Sequence, residues 1–298
     1  MGASLRGASW LAALALAVNA LAWGLSWWPF RVLQDLGVHP LWATALIYAL
    51  AVTSLLIFRP QALGYFRQYK GLWLLALAAG LTNVGFNWAV SIGDVVRVVL
   101  LFYLMPAWSI LFAWAILGER PTPGSLLRMM LALAGVIVVL KTPGAEWPVP
   151  QSLPDWLALM GGMGFALTNV LLRRMRNAPA LGSVFAMFAG GCVMAGLTAL
   201  VGMQQGVIAA LPALDATWPL WVLSLSLAFL AGNLGLQYGA ARLAASTTSL
   251  VMLLEVVFAS TSSVLLGAAE LTGRMLIGTA LILAAALLSA LSSAPANP

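Results

Sequence analysis

The stretch NVGFNW, at Asn83–Trp88, recurs as NLGLQY at Asn233–Tyr238, 150 residues further along the chain. Two shorter matches have nearly the same spacing: WLA at 10–12 and 156–158, and LG at 117–118 and 266–267. Each match is weak alone, but all three share an offset of 146 to 150 residues. This common offset predicts two similar halves, which we place at residues 1–143 and 144–298.

The composition places these halves in a membrane. Of 298 residues, 62% are hydrophobic and only 7% are charged, whereas soluble domains carry about 25% charged residues. So few charges could not cover the surface of a soluble fold of this size. The net charge of +6 would suggest nucleic acid in a soluble protein. Here the basic residues cluster in short loops between apolar runs, so we expect lipid and no nucleic acid as the surroundings.

Ten apolar stretches are each long enough to cross a bilayer as a helix, at about 17 to 23 residues. They centre near residues 17, 48, 79, 108, 133, 164, 192, 228, 256 and 284. The first resembles a signal peptide, but it is long and ends in tryptophans, so we expect an uncleaved helix. The predicted fold is an all-α integral membrane protein with ten transmembrane helices and no soluble domain.

The arrangement of the halves follows from the number of helices in each. Five is odd, so the second copy enters the membrane with the opposite orientation, giving an inverted repeat. Ten of the 14 Lys and Arg residues then fall on the side of the N-terminus, so both termini should be cytoplasmic. Inverted repeats are typical of secondary transporters, with the substrate site near the bilayer midplane between the halves.

Amide side chains lie within the predicted spans. Asn83 and Asn87 are four residues apart and share one face of the third helix, as Asn233 and Gln237 do in the eighth. Asn169 stands in the sixth helix. Intramembrane polar groups usually face protein or water, so these amides are candidates to line a substrate cavity. The alternative is hydrogen bonding that holds the helices together.

Two further residues in the spans are candidates for function. Glu255 is the only acid near the middle of a span, so it could carry a proton, bind a substrate ammonium group or serve as a structural carboxyl. Pro106 removes a helix hydrogen bond and should kink the fourth helix, either as a hinge or as a static feature.

Aromatic residues form a third set. Trp23 and Trp27 lie four apart on the first helix, Tyr103 and Trp108 lie on the fourth, and Tyr238 lies on the eighth. We predict that they form an aromatic wall of a substrate cavity, with aromatic core packing as the alternative.

No catalytic constellation accompanies these residues. His39 is the only histidine and Cys192 the only cysteine, so we expect no metal site and no disulfide within the chain. No nucleophile elbow or phosphate-binding loop is found either, and we expect neither an enzyme nor a cofactor.

Six short motifs of the sequence resemble those of the EamA-type members of the drug/metabolite transporter superfamily. They are Trp23-Gly24, Pro106, Leu117-Gly118-Glu119-Arg120, Leu254-Glu255, Glu270-Leu271-Thr272 and Ile277-Gly278. The sequence departs from the family pattern at Val256, where the family often has proline, so the halves should be unequally kinked. Glu270 is also displaced by two residues from the Gly-Glu pairing of the first half.

The resemblance implies ten helices and efflux of small metabolites across a bacterial inner membrane. The aromatic-rich first, third and fourth helices are similar to those of the aromatic and neutral amino-acid exporters. No Lys or Arg lies deep in a span, which argues against phosphorylated substrates.

The leading hypothesis is therefore a secondary exporter of neutral or aromatic amino acids. The second is efflux of hydrophobic or cationic drugs with Glu255 as the cation's partner, and a membrane enzyme or receptor is a remote third. The expected partners are a small-molecule substrate and the lipid bilayer, and a monomer is compatible with the pattern.

Overall fold

The computed structural model describes residues 2–141, 149–175, 177–214, 217–240, 242–243, 251–270 and 272–292, and they contain helices and connecting turns without a β-strand. The predicted boundary between the halves, at residues 143 and 144, lies outside these residues. The helices are α1 (Gly2–Leu25), α2 (Trp27–Asp35), α3 (Pro40–Phe58), α4 (Tyr65–Gln68), α5 (Gly71–Ile92), α6 (Val95–Phe102), α7 (Met105–Leu117), α8 (Pro123–Leu140), α9 (Leu153–Arg174), α10 (Ala180–Gln204), α11 (Trp218–Ala240), α12 (Leu254–Leu265) and α13 (Gly273–Ser292).

Eight helical spans of the described residues are long and apolar enough to cross a membrane, and they cover the first eight predicted stretches in order. The ninth and tenth stretches correspond to α12 and α13, whose apolar parts, Leu254–Leu265 and Gly273–Leu288, are shorter. For the described residues, an all-helical fold with eight spans suited to a membrane is therefore confirmed, whereas ten crossings stay a prediction.

The fourth predicted span is interrupted near its middle. Helix α6 ends at Phe102, a turn follows at Tyr103–Leu104, and α7 begins at Met105 with Pro106 as its second residue. Proline fits the first turn of a helix, where its missing N–H would have no acceptor in any case. The interruption thus falls directly before the proline.

The ninth predicted span has a corresponding interruption. Val251 and Met252 are helical, Leu253 forms a turn, and α12 begins at Leu254. Val256 stands near this break in place of a proline. The second half is therefore interrupted although it lacks the proline on which we based the expected difference between the halves.

The two broken spans also end alike. Gly118 after α7 and Gly267 after α12 have φ angles of +73° and +67°. This left-handed conformation is accessible to glycine without strain and is a common helix end. The two glycines are 149 residues apart, close to the offset of the sequence repeat.

Small residues bring the helices of the two halves together. A Cβ added to Gly85 on α5 would lie 2.5 Å from the carbonyl oxygen of Leu157 and 2.7 Å from the nitrogen of Gly161 on α9. Gly235 on α11 lies in the same way against the backbone of Ala15 on α1. Close backbone approach at small residues is a main source of helix association in lipid, where the hydrophobic effect is weak.

Helix α6 occupies the middle of the bundle. Its eight residues are apolar apart from Arg97, and the buried stretch continues through Tyr103 and Leu104 with exposures of 7% or less. A helix that is apolar on all sides is usually buried on all sides. Because α6 is central, the break that follows it is also central, and it opens a cavity.

Candidate functional site: a central cavity

A cavity of about 500 Å³ lies beside the two helix breaks. This volume falls in the range of about 300–1,000 Å³ that is typical of small-molecule sites. Its walls come from both halves: α1, α3, α5–α7 and α9–α13 all contribute residues. The residues that matter most for its chemistry are Asn19, Trp23, Tyr48, Asn83, Phe86, Phe102, Tyr103, Met105, Pro106, Phe165, Thr168, Asn169, Phe188, Asn233 and Glu255.

Four asparagines line the cavity and form two pairs along the sequence. Asn19 on α1 is 150 residues before Asn169 on α9, and Asn83 on α5 is 150 residues before Asn233 on α11. Each half therefore contributes two asparagines to the cavity, at positions that correspond in the repeat.

Most of these amides are held by their own helices. Asn83, Asn169 and Asn233 each donate through Nδ2 to the carbonyl four residues earlier, at 2.8, 2.9 and 2.9 Å. The Asn83 Oδ1 accepts a hydrogen bond from the Tyr48 hydroxyl. This leaves the Oδ1 atoms of Asn169 and Asn233 as the side-chain acceptors that these two residues can offer to a ligand.

Two cavity-lining side chains have no partner of their own. Asn19 is 0% exposed, and both its Oδ1 and its Nδ2 lack a hydrogen bond. The Thr168 hydroxyl is unpaired as well, in a residue that is 2% exposed. A buried polar group without a partner costs about 1–3 kcal/mol, so a bound polar ligand or water would offset this cost.

Aromatic rings form a connected wall around the cavity. Trp23 stacks on Phe229 with 4.3 Å between ring centroids and lies edge-on to Phe86 at 6.4 Å. Phe86 in turn contacts Phe102 at 4.8 Å, and Phe102 contacts Phe165 at 5.6 Å. Such a wall favours apolar and aromatic ligand groups.

Glu255 is the one charged residue among the described residues that line the cavity. It is the second residue of α12, so it lies at the positive end of that helix, which stabilises a carboxylate. The Tyr103 hydroxyl on the other broken span lies close to this carboxylate. Both helix breaks thus meet at one acidic group.

A buried ion pair lies at the N-terminal end of α9, outside the cavity lining. Arg97 on α6 donates from Nε to Asp155 Oδ1 at 2.7 Å and from Nη2 to Oδ2 at 2.9 Å. The Asp155 side chain is 2% exposed and that of Arg97 is 17% exposed. Arg97 also donates to the Val139 carbonyl at 2.6 Å. This bidentate, buried pair joins the two predicted halves.

The opposite end of α9 carries a looser pair. Arg173 and Glu119 approach to 2.5 Å, but their side chains are 62% and 47% exposed. The lining residues Phe165, Thr168 and Asn169 lie in the part of α9 that leads towards Arg173. The cavity therefore extends from the middle of the bundle towards the Arg173 end and away from the Arg97 end.

Of the residues predicted for the site, six line the cavity together with Pro106: Trp23, Asn83, Tyr103, Asn169, Asn233 and Glu255.

Four other predicted site residues lie outside the lining. Trp27 donates from Nε1 to the Ser262 hydroxyl at 3.0 Å, and Asn87 donates to Thr44 Oγ1 at 3.2 Å. Trp108 packs against the central apolar cluster. Tyr238 is 37% exposed beneath the guanidinium of Arg242, 3.7 Å from its ring centroid. The side chain of Gln237, the remaining residue predicted for the site, lies outside the described residues.

Asn19 and Thr168 were not predicted from the sequence. Asn19 is a single polar residue in an apolar run, yet its 150-residue spacing from Asn169 is a signal that could have identified it. Thr168 carries no comparable signal, because threonine is common within spans.

The described residues form a multi-pass helical membrane fold with a central cavity. Residues 10–141 match the EamA-like transporter family, which confirms the resemblance seen in the sequence. The match implies a membrane transporter of small molecules.

Two further comparisons concern the whole chain. A solved structure titled "Crystal structure of protein" is similar over 95% of this chain and 96% of its own, with a TM-score of 0.59 and 19% identity. At this identity the likeness shows the fold alone. No curated protein matches the chain.

Proposed function

We propose that this protein is a secondary transporter that exports neutral and aromatic amino acids across a bacterial inner membrane by alternating access. The observation that carries the proposal is the central cavity, whose aromatic wall, amide groups and single carboxylate match the parts of such a substrate. The side chain of the amino acid packs against the aromatic wall, and its polar end meets the amides and Glu255.

The charge of the cavity supports this choice of substrate. Of the described residues that line it, none is Lys or Arg, so a phosphate group would meet no cationic side chain. A zwitterionic amino acid carries no net charge, and its transfer into a buried site costs less than that of an anion.

The packing of the helices supports an inverted repeat with five helices in each half. Helix α5 packs on α9 as α11 packs on α1, and α7 packs on α9 as α12 packs on α1. The same exchange of halves relates Asn19 to Asn169 and Asn83 to Asn233. Both termini then lie on the cytoplasmic side, together with most of the basic residues.

Alternating access requires that each end of the cavity can open in turn. We propose that the buried Arg97–Asp155 pair at one end of α9 and the exposed Arg173–Glu119 pair at its other end are the contacts that break when each side opens. We assign the first pair to the periplasmic side and the second to the cytoplasmic side, from the distribution of basic residues.

One observation favours a second candidate function. The charged residue among the described lining residues, Glu255, is an acid, and the aromatic rings beside it also attract cations. The cavity could therefore also accept hydrophobic cations, and the protein would then export cationic drugs. The two functions differ in whether a carboxylate on the substrate is required.

A substrate panel in proteoliposomes separates these functions. We expect uptake of labelled phenylalanine, leucine and other neutral amino acids, with no uptake of phosphate esters. Transport of phosphate esters or quaternary ammonium drugs without any amino acid would overturn the proposal.

A further inference from the structure

We infer that three methionines set the substrate range of the cavity, because they form an adaptable part of its wall that fits apolar side chains of different shapes. The inference rests on the proposed function and deepens it, since it concerns which neutral amino acids the same cavity accepts. The three residues are Met105, Met187 and Met252.

Two of these methionines stand at the helix breaks, at corresponding positions of the two halves. Met105 is the first residue of α7, directly after the turn at Tyr103–Leu104, and Met252 is the last helical residue before the turn at Leu253. They are 147 residues apart, which is within the offset of the sequence repeat. Each broken span therefore places one methionine at its break, beside the cavity.

The third methionine approaches the cavity from another part of the bundle. Met187 lies on α10 and packs against a cluster that includes Leu72, whereas Met105 packs against the central cluster that contains α6. All three methionines are half-buried, so part of each side chain contacts protein and part borders the cavity. The methionines are thus spread around the cavity, and each has space on one side in which to change its rotamer.

The chemistry of methionine suits this role. Its side chain is unbranched, has several rotatable bonds and contains a polarizable thioether, so it fills irregular gaps. Promiscuous binding surfaces use methionine because they can repack around each ligand. A β-branched residue has one strongly preferred χ1 rotamer in a helix and would adapt less.

The aromatic wall is less able to adapt. Trp23 is stacked on Phe229 with 4.3 Å between ring centroids, and Phe86 contacts Phe102 at 4.8 Å. A ring that moved would disturb its neighbour, so this wall presents nearly the same surface to every ligand. Differences in the shape of the ligand are therefore absorbed by the methionines.

Isomeric amino acids test shape separately from hydrophobicity. Leucine, isoleucine and norleucine have side chains with the same number of carbon atoms and differ only in branching. Each competes with counterflow of labelled leucine in proteoliposomes of the unmodified protein. A rigid apolar pocket discriminates by about 10- to 200-fold for a single methylene, whereas we expect the isomers to compete within about fivefold of one another.

A stiffer wall should narrow this range. The triple variant Met105→Ile, Met187→Ile and Met252→Ile keeps the wall apolar but removes most of its freedom to change rotamer. The competition constants of the three isomers should then spread over at least about tenfold. The triple variant with leucine at the same positions conserves volume, and swaps of this kind are usually tolerated by a fold. It should give an intermediate spread, and it decides the question if the isoleucine variant does not fold.

Three methionines outside the lining provide a matched control. Met130 is 62% exposed, and Met129 and Met160 are partly buried against the central cluster. Changing all three to isoleucine alters the same number of side chains in the same way, and it should leave the competition among the isomers as in the unmodified protein.

Several outcomes would overturn the inference. If the unmodified protein transports leucine but separates the isomers by more than about fivefold, the cavity is rigid, although the proposed function stands. Equal competition that persists in the folded triple variants, or that is lost in the control as well, would show that the lining methionines do not set the range. If no neutral amino acid shows counterflow in the unmodified protein, the proposed function fails and the inference fails with it.

Discussion

The ion pair between Arg97 and Asp155 should control the opening of one end of the cavity, and the substitution Asp155→Asn tests this role. Two charge-assisted hydrogen bonds, at 2.7 and 2.9 Å, would be weakened in a place where Asp155 is 2% exposed. Removing one partner of a buried pair costs about 3–5 kcal/mol. We take the lower end, about 3 kcal/mol, because asparagine retains one acceptor oxygen.

If the pair exists only while this end is closed, its loss shifts the balance between closed and open forms by the same free energy. At 1.4 kcal/mol for each factor of ten, about 3 kcal/mol corresponds to a shift of about 100-fold towards the open form. If instead the pair persists in both forms, the cost appears as lower stability without any shift.

Cysteine labelling distinguishes these cases. Ala158 is 0% exposed and lies one turn of α9 beyond Asp155, so Ala158→Cys in a Cys192→Ser background reports access from this end. We expect a membrane-impermeant maleimide to label this cysteine much faster after Asp155→Asn. Glu119→Gln is the control, since its exposed pair is worth at most about 1 kcal/mol. Unchanged labelling combined with a lower Tm would refute gating and leave the pair as a static brace.

Three further results are expected. In the parent protein and in Glu255→Gln alike, transport should not depend on an imposed pH difference. The reason is that no second acid or histidine lines the described part of the cavity to share a proton. Substrate accumulation that is driven by a pH gradient and lost in Glu255→Gln would contradict facilitated export. Trp23→Ala should raise the half-saturating concentration for phenylalanine by about fivefold and that for alanine much less. The substitution removes a ring that stacks on Phe229 at 4.3 Å, and such a contact is worth about 1 kcal/mol beyond the area it buries. Equal effects on both substrates in uptake assays would argue against the aromatic wall. Gly85→Leu should abolish folding, measured as the yield of monodisperse protein, because even a Cβ at this position would lie 2.5 Å from the Leu157 carbonyl oxygen. A Cβ at Gly64 has no atom within 4 Å, so the control Gly64→Leu should be tolerated.

The helices could be predicted from the sequence because the apolar length of a span is a strong physical requirement. The eight long spans of the structure follow the predicted stretches in order. The break at Leu253 was harder to predict, because the sequence near it, with Val256 in place of a proline, contains no helix-breaking residue. That break depends on tertiary packing, which local propensity does not encode.

The cavity could be predicted only in part. Helical periodicity gives the face on which a residue lies, so Asn83 and Asn87 were grouped together. It does not give the depth at which a neighbouring helix covers that face, and Thr44 on α3 covers Asn87 while Asn83 reaches the cavity. Trp27 is separated from Trp23 for a related reason, because α1 ends at Leu25 and Trp27 starts a new helix.

Counterflow of labelled phenylalanine measures the central proposal most directly. Vesicles containing the purified protein are loaded with unlabelled phenylalanine and diluted into a trace of labelled compound, with no ion gradient imposed. We expect a transient accumulation of label, strongly reduced when Asn83 and Asn233, which line the cavity from the two halves, are both changed to alanine. No accumulation for any neutral amino acid, together with exchange of a quaternary ammonium drug in the same vesicles, would contradict amino-acid transport through this cavity.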